Sequence, residues 1–359
     1  MKIKGSTVVI TGASSGIGRA AALEFAKHGA NVVLAARRKS ALEDVARQIR
    51  EYNGRALVVP TDTSDADAVD HLADRAAASF GSIDIWVNNA AVSLFGPLHK
   101  TPARDFQRVL ETNVMGYVHG AQAALKHFRR QRSGVLINVS SVVGEVPQPL
   151  TAAYSASKAA INSLSVSIRS ELMLDGYKNV HVATVLPPTV DTPLFDLVGN
   201  YTGKRVVPMP PIYPAQKVAE AIVSGARKPQ HEIPVGAASK ELMMSHRKAP
   251  ASAEKVMAHS VNKKHLSKDS RRDTTGNLYE PLSHAVAAVD GGWEGKTRHN
   301  RRKGMGIGAG TVVLGGVALG TGVLGAKVLG KVSLPKVIAA KLAYSGAKKA
   351  SNRVRGRKR

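Results

Sequence analysis

The chain contains no cysteine, which excludes a disulfide framework, a thiolate metal site and a cysteine nucleophile. It opens Met1-Lys2-Ile3-Lys4 and runs straight into an apolar strand pattern, with no long apolar stretch followed by a cleavage site. An export signal is therefore not expected, and these residues read as the start of the fold. The 12 histidines show no metal-ligand spacing, so no metal is expected. No internal repeat of solenoid length is present. Acid is missing altogether from Lys296 to Arg359, which hold 16 Lys and Arg; the first 295 residues carry 35 basic against 26 acidic side chains. The formal charge of +25 thus belongs mainly to a tail. A basic terminal segment on a near-ordinary domain suits an anionic surface of any kind.

What is present is globular material: 359 residues, 43% hydrophobic and 21% charged, enough for one large domain and an extension. Short β-branched runs alternate with amphipathic stretches of helical length. Strands are expected at Thr7–Thr11, Asn31–Ala36, Ala56–Pro60, Ile83–Asn88, Gly134–Ser140, Val180–Leu186 and Glu232–Val235. Helices are expected at Gly16–His28, Ser40–Tyr52, Asp65–Phe80, Pro102–Arg130, Thr151–Asp175 and Pro214–Lys228. Most of the strand runs are apolar without alternation, as in strands covered on both faces. The order predicts an α/β fold, a doubly wound parallel seven-stranded sheet of the Rossmann type. Two further basic helices are expected near Ser239–Arg247 and Ala251–Leu266, ahead of Tyr279-Glu280-Pro281 and Gly291-Gly292-Trp293.

The first strand turns into the first helix through Thr11-Gly12-Ala13-Ser14-Ser15-Gly16-Ile17-Gly18. Glycines there let the backbone turn tightly and approach a pyrophosphate, which the free N–H groups and positive end of the helix then meet. The second strand ends Ala35-Ala36-Arg37-Arg38, where an NAD site usually offers a carboxylate to the ribose hydroxyl. A guanidinium matches a phosphate bidentately, so NADP(H) is the expected cofactor, with Arg37 toward the ribose phosphate. The bland alternative is a pair of solvated arginines at a helix start.

Tyr154 and Lys158 stand four residues apart on one face of an expected helix. Ser141 ends the preceding strand, Asn113 lies in an earlier helix, and Asn88-Asn89-Ala90 follows the fourth strand, where a parallel sheet opens its ligand crevice. With the glycine loop, Asn113, Ser140-Ser141 and the Tyr154/Lys158 pair in this order, the chain resembles the short-chain dehydrogenase/reductase family over about residues 5 to 235. The resemblance implies a general acid/base role for Tyr154, a carbonyl-orienting hydroxyl on Ser141, a tuning cation on Lys158 and a proton-relay water held by Asn113. It also implies cofactor contacts from Gly12, Ser14, Ser15, Gly16, Ile17, Gly18, Asp62 and Asn89, and from Tyr154 and Lys158 themselves. Where the family usually has Pro-Gly, this chain has Pro187-Pro188, so the nicotinamide contacts of Pro187, Val190 and Thr192 are carried over with an N–H removed.

The expected organisation is a dinucleotide-binding catalytic domain over residues 1–236, a helical or irregular extension over 237–295 and a basic tail over 296–359. The expected activity is NADP(H)-dependent interconversion of a carbonyl and an alcohol, with Lys158 and the oxidised nicotinamide drawing the Tyr154 phenol down from its ordinary pKa of about 10. The alternative is a non-catalytic NADP-binding scaffold acting through its tail. Gly304–Ala326 is 23 uncharged residues, 9 of them Gly, long enough for a span, and Ser333–Lys349 reads like an interfacial helix. Association with the cytoplasmic face of an anionic membrane is expected. Nucleic-acid binding is disfavoured, since the tail has Tyr344 as its single aromatic. A homo-oligomer and a small-molecule substrate complete the expectation.

Overall fold

A computed structural model describes residues 1–282, 285 and 287–293 of the chain. All of them lie in one compact unit. Seven strands, β1 Thr7–Thr11, β2 Asn31–Ala36, β3 Arg55–Pro60, β4 Ile85–Asn88, β5 Gly134–Val139, β6 Val180–Leu186 and β7 Glu232–Pro234, form one sheet. Its order is β7-β6-β5-β4-β1-β2-β3 and every pairing is parallel. The doubly wound Rossmann-type sheet is therefore present. The chain leaves β1 toward β2 on one side and returns to β4 on the other, so a crevice opens at the carboxyl ends of β1 and β4. The loops after β1, β4 and β5 all reach that edge.

The core has two layers because β1 alternates. Val8 and Ile10 face α1 Gly16–Lys27, α2 Lys39–Glu51 and α8 Ala215–Arg227, where Phe25, Val45 and Ile222 are buried. Val9 faces α3 Ala66–Phe80, α5 Gly116–Gln131 and α6 Ala152–Leu174, where Leu72, Phe128 and Leu172 are buried. Helix α2 shows the cause: Leu42, Val45, Ala46 and Ile49, at helical spacing, are all buried.

Several boundaries move for identifiable reasons. β4 starts at Ile85 because the amide and carbonyl of Ile83 are taken by the Gln131 side chain, at 3.4 and 2.8 Å, instead of by a neighbouring strand. The helix expected over Pro102–Arg130 is three pieces: α4 Ala103–Leu110, a π-helical turn Glu111–Met115 and α5. A π turn inserts one residue per turn and is frequent at functional sites; here it carries Asn113. In the extension, after the short α7 Leu194–Leu197, α9 spans Ala237–Lys248 and α10 spans Pro250–Lys264. Leu266, expected to end α10, instead starts a strand Leu266–Ser270 that pairs antiparallel with Lys204–Val206. Among the described residues, no helix is long and apolar enough to cross a membrane. The Gly304–Ala326 segment and the rest of the basic tail lie outside the described residues.

Asp105 on α4 is fully buried and accepts hydrogen bonds from the hydroxyls of Tyr201 and, at 2.7 Å, Tyr279. It fastens the segments around Tyr201 and Tyr279 to α4. Desolvation and the bond to Asp105 push the Tyr201 phenol up to about 12. Asp105→Ala leaves two phenols without their acceptor and is expected to cost about 2 kcal/mol, read as a lower denaturant midpoint at unchanged slope. A loss below about 0.5 kcal/mol would show that the carboxylate is dispensable there.

Candidate active site

Loop geometry after β1 explains its glycines. Gly12 has φ +68°, and a Cβ there would stand 2.8 Å from Ala90 Cα. A Cβ on Gly18 would stand 2.3 Å from the Gly12 carbonyl oxygen. The loop is locked to β4: the Thr11 hydroxyl accepts from the Asn89 amide at 2.9 Å, and the Asn89 side chain donates to the Thr11 carbonyl at 3.0 Å. This makes a cradle closed to side chains.

A cavity of about 350 Å³ runs from this cradle along the carboxyl edge of the sheet. Gly12, Ser14, Ser15, Gly16, Ile17, Arg37, Asp62, Asn89, Ser141, Tyr154, Lys158, Pro187, Val190 and Thr192 all line it. Two expected site residues do not line it. Gly18 acts through packing of the loop, as above. Asn113 stands behind the wall, with Oδ1 accepting from the Val92 amide at 2.8 Å and Nδ2 donating to the Val92 carbonyl at 2.9 Å and the Ser157 hydroxyl at 3.0 Å. Its side chain is committed to holding Val92, so any relay water must use its backbone carbonyl or a remaining lone pair.

Ser141 and Pro188 sit on loops that are tied together. The Val142 amide donates to the Pro187 carbonyl at 3.0 Å, and the Ser141 hydroxyl donates to the same oxygen at 3.4 Å. Pro188 lines the cavity without breaking this link.

Lys158 is 2% exposed, and its Nζ donates to the Val139 carbonyl at 2.9 Å and the Tyr117 hydroxyl at 3.3 Å. The same nitrogen lies 5.5 Å from the Tyr154 ring centroid. Burial pulls the Lys158 ammonium down to about 7. Tyr154 is partly exposed to the cavity, yet desolvation pushes its phenol up to about 12, with the hydrogen bond to Ser141 pulling the other way. Desolvation thus penalises the charged form of both groups.

A stability consequence follows. The unfolded lysine binds its proton up to about pH 10.5 and the folded one only up to about 7, so Lys158 costs most stability below pH 7 and progressively less as pH rises. Lys158→Met is therefore expected to stabilise the protein by a few kcal/mol more at pH 6 than at pH 10. Denaturant unfolding at the two pH values measures it, and a pH-independent difference would mean that Lys158 is well solvated.

At the Arg37 end of the cavity, sequence reasoning named Arg37 and Asp62 but missed the backbone that meets them. Arg37 donates to the backbone carbonyls of Tyr279 and Asn277, at 2.6 and 2.8 Å, Arg38 to that of Ala285 and Arg19 to that of Ala287. The Gly16 amide donates to the Ala288 carbonyl at 2.9 Å. Desolvation lowers the pKa of Arg37 even with Asp62 beside it. Asp62 is opposed by burial, but donation from the Ser64 amide and hydroxyl, with Arg108 and Arg37, holds its carboxyl below the ordinary range. Arg108 also binds the Leu278 carbonyl at 3.1 Å. No local sequence signal marks the backbone acceptors of Arg19, Arg37, Arg38 and Arg108, because they stand 170 to 268 residues away.

The cradle, the crevice position and the lining fit a nicotinamide dinucleotide, and known proteins agree. The short chain dehydrogenase profile matches residues 6–200. The chain is 35% identical over 285 residues to the uncharacterized oxidoreductase YxnA of Bacillus subtilis, covering 78% of this chain and 79% of that one. It is 41% identical over 187 residues to the cis-4-hydroxycyclohexanecarboxylate dehydrogenase of Sinomonas cyclohexanicum, covering 52% of this chain and 74% of that one. A short chain dehydrogenase/reductase from Burkholderia phymatum, crystallised in complex with NAD, superposes with a TM-score of 0.65 at 26% identity, covering 71% of this chain and 97% of that one. Sequence, sheet order and cavity thus converge: the chain belongs to the short-chain dehydrogenase/reductase family and is an oxidoreductase.

Proposed function

We propose that the protein interconverts a carbonyl and a primary or secondary alcohol with NADP(H), Tyr154 being the general acid/base. The observation that carries the cofactor choice is Arg37, which lines the cavity at the end of β2 where no carboxylate stands. A nicotinamide dinucleotide supplies, when bound, the hydride and, in its oxidised form, a positive charge near the phenol. Gly12, Ser14, Ser15, Gly16 and Ile17 cradle its pyrophosphate, Arg37 and Arg38 face its ribose phosphate, and Asn89, Pro187, Val190 and Thr192 hold the remainder. Ser141 holds the substrate oxygen against the Tyr154 hydroxyl, which gives up its proton as the carbonyl is reduced and takes one in the reverse direction. Lys158, fixed by Val139 and Tyr117, steadies the phenolate formed. The decisive experiment follows absorbance of the reduced nicotinamide while purified protein meets ketones, aldehydes and alcohols with either cofactor. The oxidoreductase relatives favour catalysis over a non-catalytic scaffold.

The same reading places the protein in the cytoplasm, as a homo-oligomer, with the basic tail on an anionic membrane surface. Removing residues 304–359 is expected to move the protein from the membrane pellet to the supernatant with kcat/KM unchanged. Full-length protein that stays in the supernatant at low salt would end the membrane proposal.

A further inference from the structure

The catalytic pair opens onto a second half of the cavity, built in part by the extension. Val142 follows β5, Phe195 lies on α7, Met209 on the loop beyond it, Leu242 on α9 and Met257 on α10, and all line the cavity. Met257 is buried in one apolar cluster with Val142, Leu186, Met243 and Val261, against which Leu242 and Met209 pack. The two extension helices are therefore seated on the loop that carries Ser141. Their side chains serve as both core and cavity wall.

Charge is distributed unevenly along this cavity. Its charged lining residues, among the described residues, are Arg37, Arg38, Asp62 and Lys158. Three belong to the adenosine end. Lys158 is committed to Val139 and Tyr117 beneath the phenol. Besides the Tyr154 phenol, the titratable group on the substrate side among the described residues is His265, which follows α10 and is 3% exposed. Its Nδ1 faces the Val207 carbonyl, an obligatory acceptor, so that nitrogen carries the proton. The ring packs against Phe95 at a centroid distance of 5.0 Å and Phe195 at 5.8 Å, and burial lowers its pKa. His265 thus meets a ligand as neutral imidazole.

From this distribution we infer that the extension makes the site selective for neutral alcohols and ketones with an apolar body, and against substrates bearing a carboxylate or phosphate. This rests on the carbonyl/alcohol reading above and adds the class of substrate. A carboxylate carried past Tyr154 leaves water for a wall in which Val, Phe, Met and Leu side chains stand among the neutral polar groups of Gln148, Thr151, Ser239 and His265, with no cation among the described residues to meet it, and burying an unpaired charge is strongly unfavourable. An apolar body gains from the same wall. Leu242 and Met257 are the proposed specificity residues, and the selectivity differs from that named for the Sinomonas relative, whose substrate is a carboxylate.

The test uses full-length protein saturated with NADPH and a matched pair, 4-methylcyclohexanone and 4-oxocyclohexanecarboxylate. Binding is read from the fluorescence of bound NADPH and turnover from its oxidation. The neutral ketone is expected to bind at least about 30-fold more tightly and to show a correspondingly higher kcat/KM. Leu242→Arg, at a partly exposed position, is expected to narrow that ratio at least tenfold, with NADPH affinity as the folding control; Met257→Lys is the second variant. Equal or tighter binding of the carboxylate by the unmodified protein overturns the inference. If NADPH binds but neither ketone does, the substrate class is wrong while the cofactor assignment stands. If NADPH itself fails to bind, the carbonyl/alcohol reading falls and this inference with it.

Discussion

Tyr154→Phe is expected to lower kcat by about 10³-fold or more on any carbonyl substrate while leaving NADPH affinity within about twofold. The substitution removes one hydroxyl and keeps the ring that packs near Lys158. It deletes the phenolic proton placed beside Ser141. Lys158 lies beneath the ring, but its Nζ points its hydrogen bonds at Val139 and Tyr117, and Tyr117 is itself buried, with desolvation holding its phenol well above the ordinary value. General acid/base catalysis contributes about 10² to 10⁴-fold, and loss of the oxygen-orienting partner of Ser141 adds to it. The pH profile gives a second reading. With the bare phenol near 12 and the lysine near 7, alcohol oxidation should rise with pH until the phenol, drawn down by the cation and the oxidised nicotinamide, is ionised. That rising limb should vanish in the phenylalanine variant. Turnover within tenfold of the unmodified protein would remove Tyr154 from the mechanism.

The sheet was legible in the sequence because most of its strands are short apolar runs bounded by glycine or a polar turn, as burial on both faces requires. The lining of the cradle was legible for a related reason: Gly12 and Gly18 stand where a Cβ would meet backbone at 2.8 and 2.3 Å, so the requirement is written into residue type. The π turn at Glu111–Met115 was not legible. A single inserted residue leaves no trace in hydrophobic spacing over a helix of this length, although it is what turns Asn113 inward to Val92. Nor could the carbonyls that meet Arg19, Arg37 and Arg38 be found, since a backbone acceptor has no sequence signature. The extension's part in the cavity was hidden likewise. Leu242 and Met257 read only as apolar positions on basic helices until the fold placed them against Val142.

The arginine cluster gives the other large effect. The unmodified protein is expected to bind NADPH about 10 to 100-fold more tightly than NADH, since a charge-assisted hydrogen bond to phosphate contributes about 1.5 to 3 kcal/mol. The double variant Ala36→Asp with Arg37→Ala should reverse the order, because a carboxylate there accepts from a ribose hydroxyl and repels a phosphate. The complication lies in the structure: Arg37 already donates to the carbonyls of Asn277 and Tyr279. A guanidinium has five N–H donors in a planar fork, so two occupied positions leave others for a phosphate. Removing Arg37 nevertheless loosens the Asn277–Tyr279 segment, which Arg108 still holds through Leu278 and which Asp105 still holds through Tyr279. Arg37→Ala alone therefore separates the two roles. If the arginine serves the phosphate, NADPH affinity drops while NADH affinity is nearly unchanged; if it serves mainly to hold the extension, both fall together and the melting temperature falls with them. Residual preference for NADPH in the single variant is assigned to Arg38, which also lines the cavity and whose guanidinium donates to the Ala285 carbonyl. Equal affinity of the unmodified protein for the two cofactors would refute the assignment, and Arg37 would then be a clasp for the extension alone.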